Sequence, residues 1–408
     1  MIKIKTLNNG IRCVCEQMPY LHSISVGVWV GTGSRHESEE IWGISHFIEH
    51  MLFKGTYFRS GKEIAEFTDG FGGQLNAYTY RDKTCYYVTA VDCYLKECFD
   101  ILSDMIKNSR FDEKDIESEK AIVFEEMNMS EDNPEELADD LIDCVCFSSQ
   151  SLGRNILGNE KSVSNINKAL ITEYMKYRYT TDNMVISVAG NISCDKMFDL
   201  CEEYFGDIEK SSKKEYIKGP AVFTSGNCCV VEKNIEQTHI NLAFKGISRT
   251  DNGIYALDLV NNILGGGVSS RLFQKIREDM GIAYSVVSSV SAYEDCGLTT
   301  LYAAVNPENK DILIKQMLYE VEKLKNDITE KELERSKKQV ISSFILSSEN
   351  AEGQMAYNGK QLIHNEKIDS LNEYIEKINN VTLEYAKEVL NRCFSDKTLC
   401  QAIVKSKN

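Results

Sequence analysis

His46 and His50 lie four residues apart in the stretch Trp42-Gly-Ile-Ser-His-Phe-Ile-Glu-His-Met-Leu-Phe-Lys-Gly55, with Glu49 between them. On a helix of about 3.6 residues per turn this spacing stacks both imidazoles on one face, a bidentate site suited to a borderline metal ion such as zinc. Glu49 stands at the edge of the same face, near enough to take a proton from a water held there without itself binding the ion. The order His-x-x-Glu-His reverses that of the commoner zinc peptidases and is a catalytic motif in its own right. Two histidines on an apolar helix can also be core residues bonded to backbone. The glutamate argues against that reading, because a carboxylate buried between imidazoles with no cation costs several kcal/mol.

A catalytic zinc takes three protein ligands and leaves one position for water. The third is sought in Asp115 to Met127, a helix candidate that carries Glu117, Glu119, Glu125 and Glu126. Glu119 and Glu126, two turns apart, share a face with Ile122 and Val123, while Glu125 lies about 100° round the helix, towards solvent. Spacing therefore favours Glu126 as ligand and Glu119 as a carboxylate that orients a ligand from behind. A solvated acidic helix is the other reading of the same pattern.

These helices need a frame. At 408 residues the chain suits two domains of about 200. Alternating apolar runs predict strands at 2–5, 11–16, 23–30, 75–80, 84–91 and 184–189. A second set follows at 227–232, 238–245, 284–293, 297–305 and near 399–404. Helical periodicity is read at 61–71, 93–108, 113–130, 135–147, 164–179, 195–205, 252–264, 307–326, 329–348 and 351–364. The Lys/Ser/Gly-rich stretch from 206 to 222 reads as a linker. Ile171 to Tyr179 before Met184-Val-Ile-Ser-Val-Ala189 rhymes with Val381 to Leu390 before Leu399-Cys-Gln-Ala-Ile-Val404. The fold class is therefore α+β, a duplicated unit of antiparallel sheet with helices on one face. The expected division is a metal-binding domain at 1–210, a linker at 211–225 and a homologous domain at 226–408.

The net charge of −16 argues against a nucleic-acid partner. No run of eighteen apolar residues predicts a membrane span, and the N-terminus lacks the apolar core of a signal peptide, so a cytoplasmic location is expected. Fourteen cysteines without a Cys-x-x-Cys pair are expected to be free thiols.

The chain resembles the insulinase-like zinc peptidases, the inverzincins or pitrilysins, and among them the bacterial relatives of the mitochondrial processing peptidase. The residues that carry the resemblance are His46-Phe-Ile-Glu-His50 with Met-Leu-Phe-Lys-Gly-Thr56, and Gly72-Gly-Gln-Leu-Asn-Ala-Tyr-Thr79 with Asp82, Thr84, Tyr86 and Tyr87. Glu119 to Glu126 and Gly265-Gly-Gly-Val-Ser-Ser-Arg-Leu-Phe273 through Arg277 and Tyr284 complete the set. The resemblance covers about residues 2 to 404. The resemblance implies a processing-peptidase-like fold and one Zn2+ per chain, held by His46, His50 and Glu126. It makes Glu49 the general base, with Glu119 in support. It implies that Asn76 and Ala77 pair with the backbone of a peptide substrate, and that Arg277 and Tyr284 from the other half reach towards the substrate carbonyl. It further implies a homodimer that closes a chamber. The family also contains subunits that bind peptides or build complexes without cleaving, and such a scaffold is the alternative. Gly265 to Gly267 reads equally as a substrate-guiding loop or as a helix stop.

Overall fold

A computed structural model of the chain describes residues 2–148, 150–215, 220–365 and 367–407. Part of the expected linker, 216–219, lies outside them. The chain forms two compact units. The first takes residues up to Met127, those from Asn155 into the connecting segment, and Ile345–Ser370. The second takes Asn128–Arg154, the chain from the end of that segment to Phe344, and the C-terminal part from Leu371. This spatial partition differs from the linear division at 211–225, because each unit includes a helix drawn from the other half of the sequence.

The sheet of the first unit has six strands: β1 (Ile2–Thr6), β2 (Arg12–Gln17), β3 (Ser23–Val30), β4 (Gln74–Thr79), β5 (Thr84–Val91) and β6 (Met184–Gly190). Their order is β1-β2-β6-β3-β5-β4. The second unit has five: β7 (Cys228–Lys233), β8 (Thr238–Lys245), β9 (Ala283–Ala292), β10 (Gly297–Val305) and β11 (Cys400–Ser406), in the order β7-β11-β8-β10-β9. Without β1 the first order maps strand for strand onto the second. The rhyme between the ends of the halves falls on β6 and β11, which occupy the same place.

Two features correct the expectation of antiparallel sheets covered on one face. β2 pairs with β6, and β7 with β11, in parallel; the long helical passage before β6 and β11 supplies the crossover a parallel pair requires. Both faces of β3 are also buried. Ile24, Val26, Val28 and Val30 point into the main core, whereas Trp29 packs with Met355 and Leu362 of helix Ala351–His364. In the second unit, Ile142, Cys146 and Phe147 of helix Pro134–Phe147 cover Ala243 of β8 and Ala402 of β11 in the same manner.

Local signals account for most element ends. Ser60 and Glu63 form a reciprocal cap on helix Gly61–Gly70. The helix expected at 164–179 is split into Glu160–Asn165 and Lys168–Arg178, each started by an asparagine cap, Asn159 and Asn167. Helix Ile254–Gly265 ends at the glycine run, with Gly266 as its cap, which favours the helix-stop reading. All fourteen cysteines are free, and among the described residues no helix is long and apolar enough to cross a membrane.

Candidate metal centre

Helix Ile44–Leu52 carries the two histidines, and its start is fixed by a glycine and a carboxylate. Gly43 has φ +93°, and a Cβ there would meet the Leu157 carbonyl oxygen at 2.5 Å, so both the backbone and the space demand glycine. The buried Glu37 carboxylate accepts hydrogen bonds from the Gly43 N–H (2.7 Å) and the Ser45 N–H (2.8 Å). A negative group thereby satisfies amides that the first turn leaves open. Phe47, Ile48, Met51 and Leu52 are buried in the core, and His46, Glu49 and His50 remain half-buried on the other side.

Helix Glu113–Asp132 brings the third group. Ile116, Glu119 and Val123 form its buried face, Glu126 continues that face half-buried, and Glu125 is exposed. Ile122, expected on the inner face, is 45% exposed; three residues past Glu119 it lies about 60° round the helix to one side, whereas Val123 lies about 40° to the other side, towards Ile116 and the core.

Glu126 Oε2 stands 3.5 Å from His50 Nε2 and 3.8 Å from His46 Nε2. One donor atom from each of the three residues lies within 4.8 Å of the others, and among the described residues no other three His, Cys, Asp or Glu side chains converge in this way. Glu126 Oε2 is buried without a hydrogen-bond partner, a state that a carboxylate oxygen sustains when a cation completes it. Donors at about 2.0–2.2 Å from a tetrahedral ion are about 3.3–3.6 Å apart, which the two separations from Glu126 meet to within a few tenths of an ångström. The donor set therefore fits zinc. Burial, and then the neighbouring His50, lower the His46 pKa to about 3, which keeps that ring in the neutral form that ligates.

Behind these three side chains lies a second layer of charge. Glu119, 3% exposed, accepts a hydrogen bond from His50 Nδ1 through Oε1 (2.8 Å) and forms an ion pair with Lys54 through Oε2. Burial alone would raise the Glu119 carboxyl, but His50 and Lys54 together hold it below the usual range. Burial pulls His50 down, and the Glu119 hydrogen bond with the charges of Glu126, Glu119 and Glu49 outweighs it, so its pKa is raised. Glu49 Oε2 accepts a 2.5 Å hydrogen bond from Thr79 Oγ1. Burial lifts the Glu49 carboxyl above its ordinary value in spite of that bond.

Asn76 and Ala77 lie on β4, the edge strand of the sheet, where the Ala77 N–H donates to Asn76 Oδ1 (2.8 Å). Leu75 and Ala77 pack on the core that includes the histidine helix, and Thr79 follows on that same side of the strand. Arg277 and Tyr284 belong to the second unit and are in contact there. Arg277 Nη1 donates to the Tyr284 carbonyl (2.9 Å), and its guanidinium lies 4.5 Å from the centroid of the Tyr284 ring. The Tyr284 side chain is 77% exposed on β9, the edge strand of that sheet. Arg277 sits in a π-helical stretch, Phe273–Asp279, that the periodicity does not announce.

Sequence reasoning gave no role to Lys54 or Thr79. Their signals are spacing alone: Lys54 comes one helical turn after His50, and Thr79 two residues after Ala77 on one side of a strand.

Comparison with known proteins adds independent findings. Residues 12–160 match the family model described as Insulinase (Peptidase family M16), and residues 165–340 the model described as Peptidase M16 inactive domain. A Bacillus subtilis protein named "Uncharacterized zinc protease YmxG" is 43% identical over 397 residues, covering 97% of this chain and 96% of that protein. An uncharacterized zinc protease of Rickettsia felis is 35% identical, covering 97% and 95%. Among solved structures, a protease from Helicobacter pylori superimposes with a TM-score of 0.94 at 23% identity, covering 99% of each chain. The peptidase M16 inactive domain from Pseudomonas fluorescens gives 0.92 at 19% identity, covering 100% of this chain and 98% of that one. At these identities the two structures speak for the fold.

Proposed function

This chain belongs to the insulinase family of peptidases, M16, and on that premise we propose that it is a zinc-dependent endopeptidase acting on peptides or unfolded segments held in extended form. The observation that carries the proposal is the approach of Glu126 to both histidines with Glu49 beside them. The residues matched by the model described as inactive begin at 165, beyond every proposed metal ligand and the proposed base.

His46, His50 and Glu126 hold one zinc per chain; when bound, the ion supplies a Lewis acid that polarises the scissile carbonyl and lowers the pKa of water. Glu49 takes the proton of the attacking water and returns it to the leaving amine. Its raised pKa suits both tasks, since a base with an ordinary carboxylate pKa returns a proton poorly near neutrality. β4, with one edge unpaired, offers backbone groups at Asn76 and Ala77 to an extended substrate. Arg277 and Tyr284 take the part that the family resemblance gives them, donating to the carbonyl oxygen as charge develops on it. On the same reading the working form is a homodimer. A mixture of Glu49→Gln and Tyr284→Phe chains, each inactive alone, then recovers activity if one chain's Tyr284 serves the other's metal.

Elemental analysis and a fluorogenic peptide assay test the proposal together. One zinc per chain, with cleavage abolished by a chelator and restored by zinc, is the expected result. A chain that binds zinc and peptide but cleaves nothing is a scaffold of the same family.

A further inference from the structure

We infer that Lys54 is a positioning residue of the metal centre: it holds Glu119 so that His50 presents Nε2 to the ion. The inference rests on the metal reading above. His50 lies in the last turn of helix Ile44–Leu52 and Lys54 just past its Phe53 cap, four residues on, and both reach the same carboxylate, whose two oxygens they divide. Oε1 accepts from His50 Nδ1, and Oε2 pairs with Lys54 Nζ. The contact of His50 Nδ1 with the carboxylate fixes the ring so that Nε2 is the nitrogen turned to the site, 3.5 Å from Glu126 Oε2.

The division of oxygens matters because Glu119 is a buried carboxylate beside a site built for a cation. Without a second cation on Oε2, one of its oxygens is left buried and unpaired, a state relieved by rotation of the carboxylate. A rotated Glu119 no longer holds the His50 ring by Nδ1 and becomes a competing ligand. Lys54 closes that route, and its own side chain, about one-third exposed, keeps contact with water.

The test compares zinc affinity, by competition with a chelating dye, for the full-length wild type, Lys54→Met, Lys54→Arg and Glu119→Gln, alongside the melting temperature of each metal-free protein. Lys54→Met is expected to weaken zinc binding roughly 10–100-fold, the range typical for loss of a group that orients a ligand, with Lys54→Arg restoring most of it. Glu119→Gln is expected to fall in the same range as Lys54→Met. Wild-type affinity in Lys54→Met overturns the assignment. So does a loss that Lys54→Arg leaves uncorrected and that tracks a fall in the metal-free melting temperature, because Lys54 then serves the fold alone. A wild type that takes up no zinc overturns the metal reading itself, and with it the role of Lys54.

Discussion

The Thr79 hydroxyl donates to Glu49 Oε2 at 2.5 Å, so edge strand β4 and the helix that carries the histidines are tied together through the proposed base. The bond fixes which oxygen of Glu49 is engaged and leaves the other for water.

Thr79→Val keeps the shape and removes that donor. It is expected to lower kcat roughly tenfold, a fraction of what a positioned base contributes, with KM and zinc content little changed. Thr79→Ser is expected to recover most of the rate. Steady-state kinetics on the three proteins decide it, and equal kcat for valine and wild type would remove Thr79 from the mechanism.

Adjacent carboxylates on helix Glu113–Asp132 separate the proposed ligand from the surface. Glu126→Gln is expected to weaken zinc binding by more than the roughly 10–100-fold that follows loss of an orienting partner. Glu125→Gln, on the exposed side, is expected to bind as wild type does. Isothermal titration with zinc gives both values, and similar losses in the two variants would contradict the facing described here.

Much of this centre was legible beforehand because helical spacing is a strong constraint. His46 and His50 share a face because they are four apart, and Glu119 and Glu126 because they are seven apart; spacing left a solvated acidic helix open for the second pair, and the family resemblance chose between the readings. Strand boundaries were legible where an alternating run ends at a Gly-rich turn, as at β3, which runs into Gly31-Thr-Gly33. The parallel pairing of β2 with β6 was not, since the partner lies far along the chain and no local pattern encodes register over that distance. The covering of β3 by helix Ala351–His364 was missed for a similar reason. Gly27 and Gly359 mark that contact, but a lone glycine in a strand or helix reads as a defect until its neighbour is known. Thr79 and Lys54 escaped because a hydroxyl and an ammonium are ordinary on surfaces, and only their partners give them meaning.

The helix over β3 makes a stability prediction. A Cβ at Gly359 would fall 2.0 Å from Trp29 Nε1, a contact with a fully buried ring. Gly359→Ala is expected to destabilise the protein by about 1–3 kcal/mol through overpacking, read as a lower denaturation midpoint. An unchanged midpoint would mean that the helix sits farther from the strand.

Asp258, on helix Ile254–Gly265, has its pKa pushed up to about 7 by burial. Between the unfolded value of about 3.9 and that folded value, the native state binds more protons than the unfolded state does. Its contribution to stability is therefore full below about pH 4 and is lost as pH rises towards 7. Asp258→Asn is expected to raise the melting temperature at pH 8 and to leave it nearly unchanged at pH 4. Thermal melts at the two pH values check the sign, and a larger gain at the lower one would reverse it.

Glu49→Gln separates proton transfer from metal binding, because the proposed base beside the three-residue zinc site is lost while the site itself is kept. The zinc-to-protein ratio and peptide turnover are measured on the same preparation. One zinc per chain, as in wild type, is expected, with turnover reduced by a factor on the order of a hundred or more. Turnover equal to wild type at full zinc occupancy would contradict Glu49 as the base.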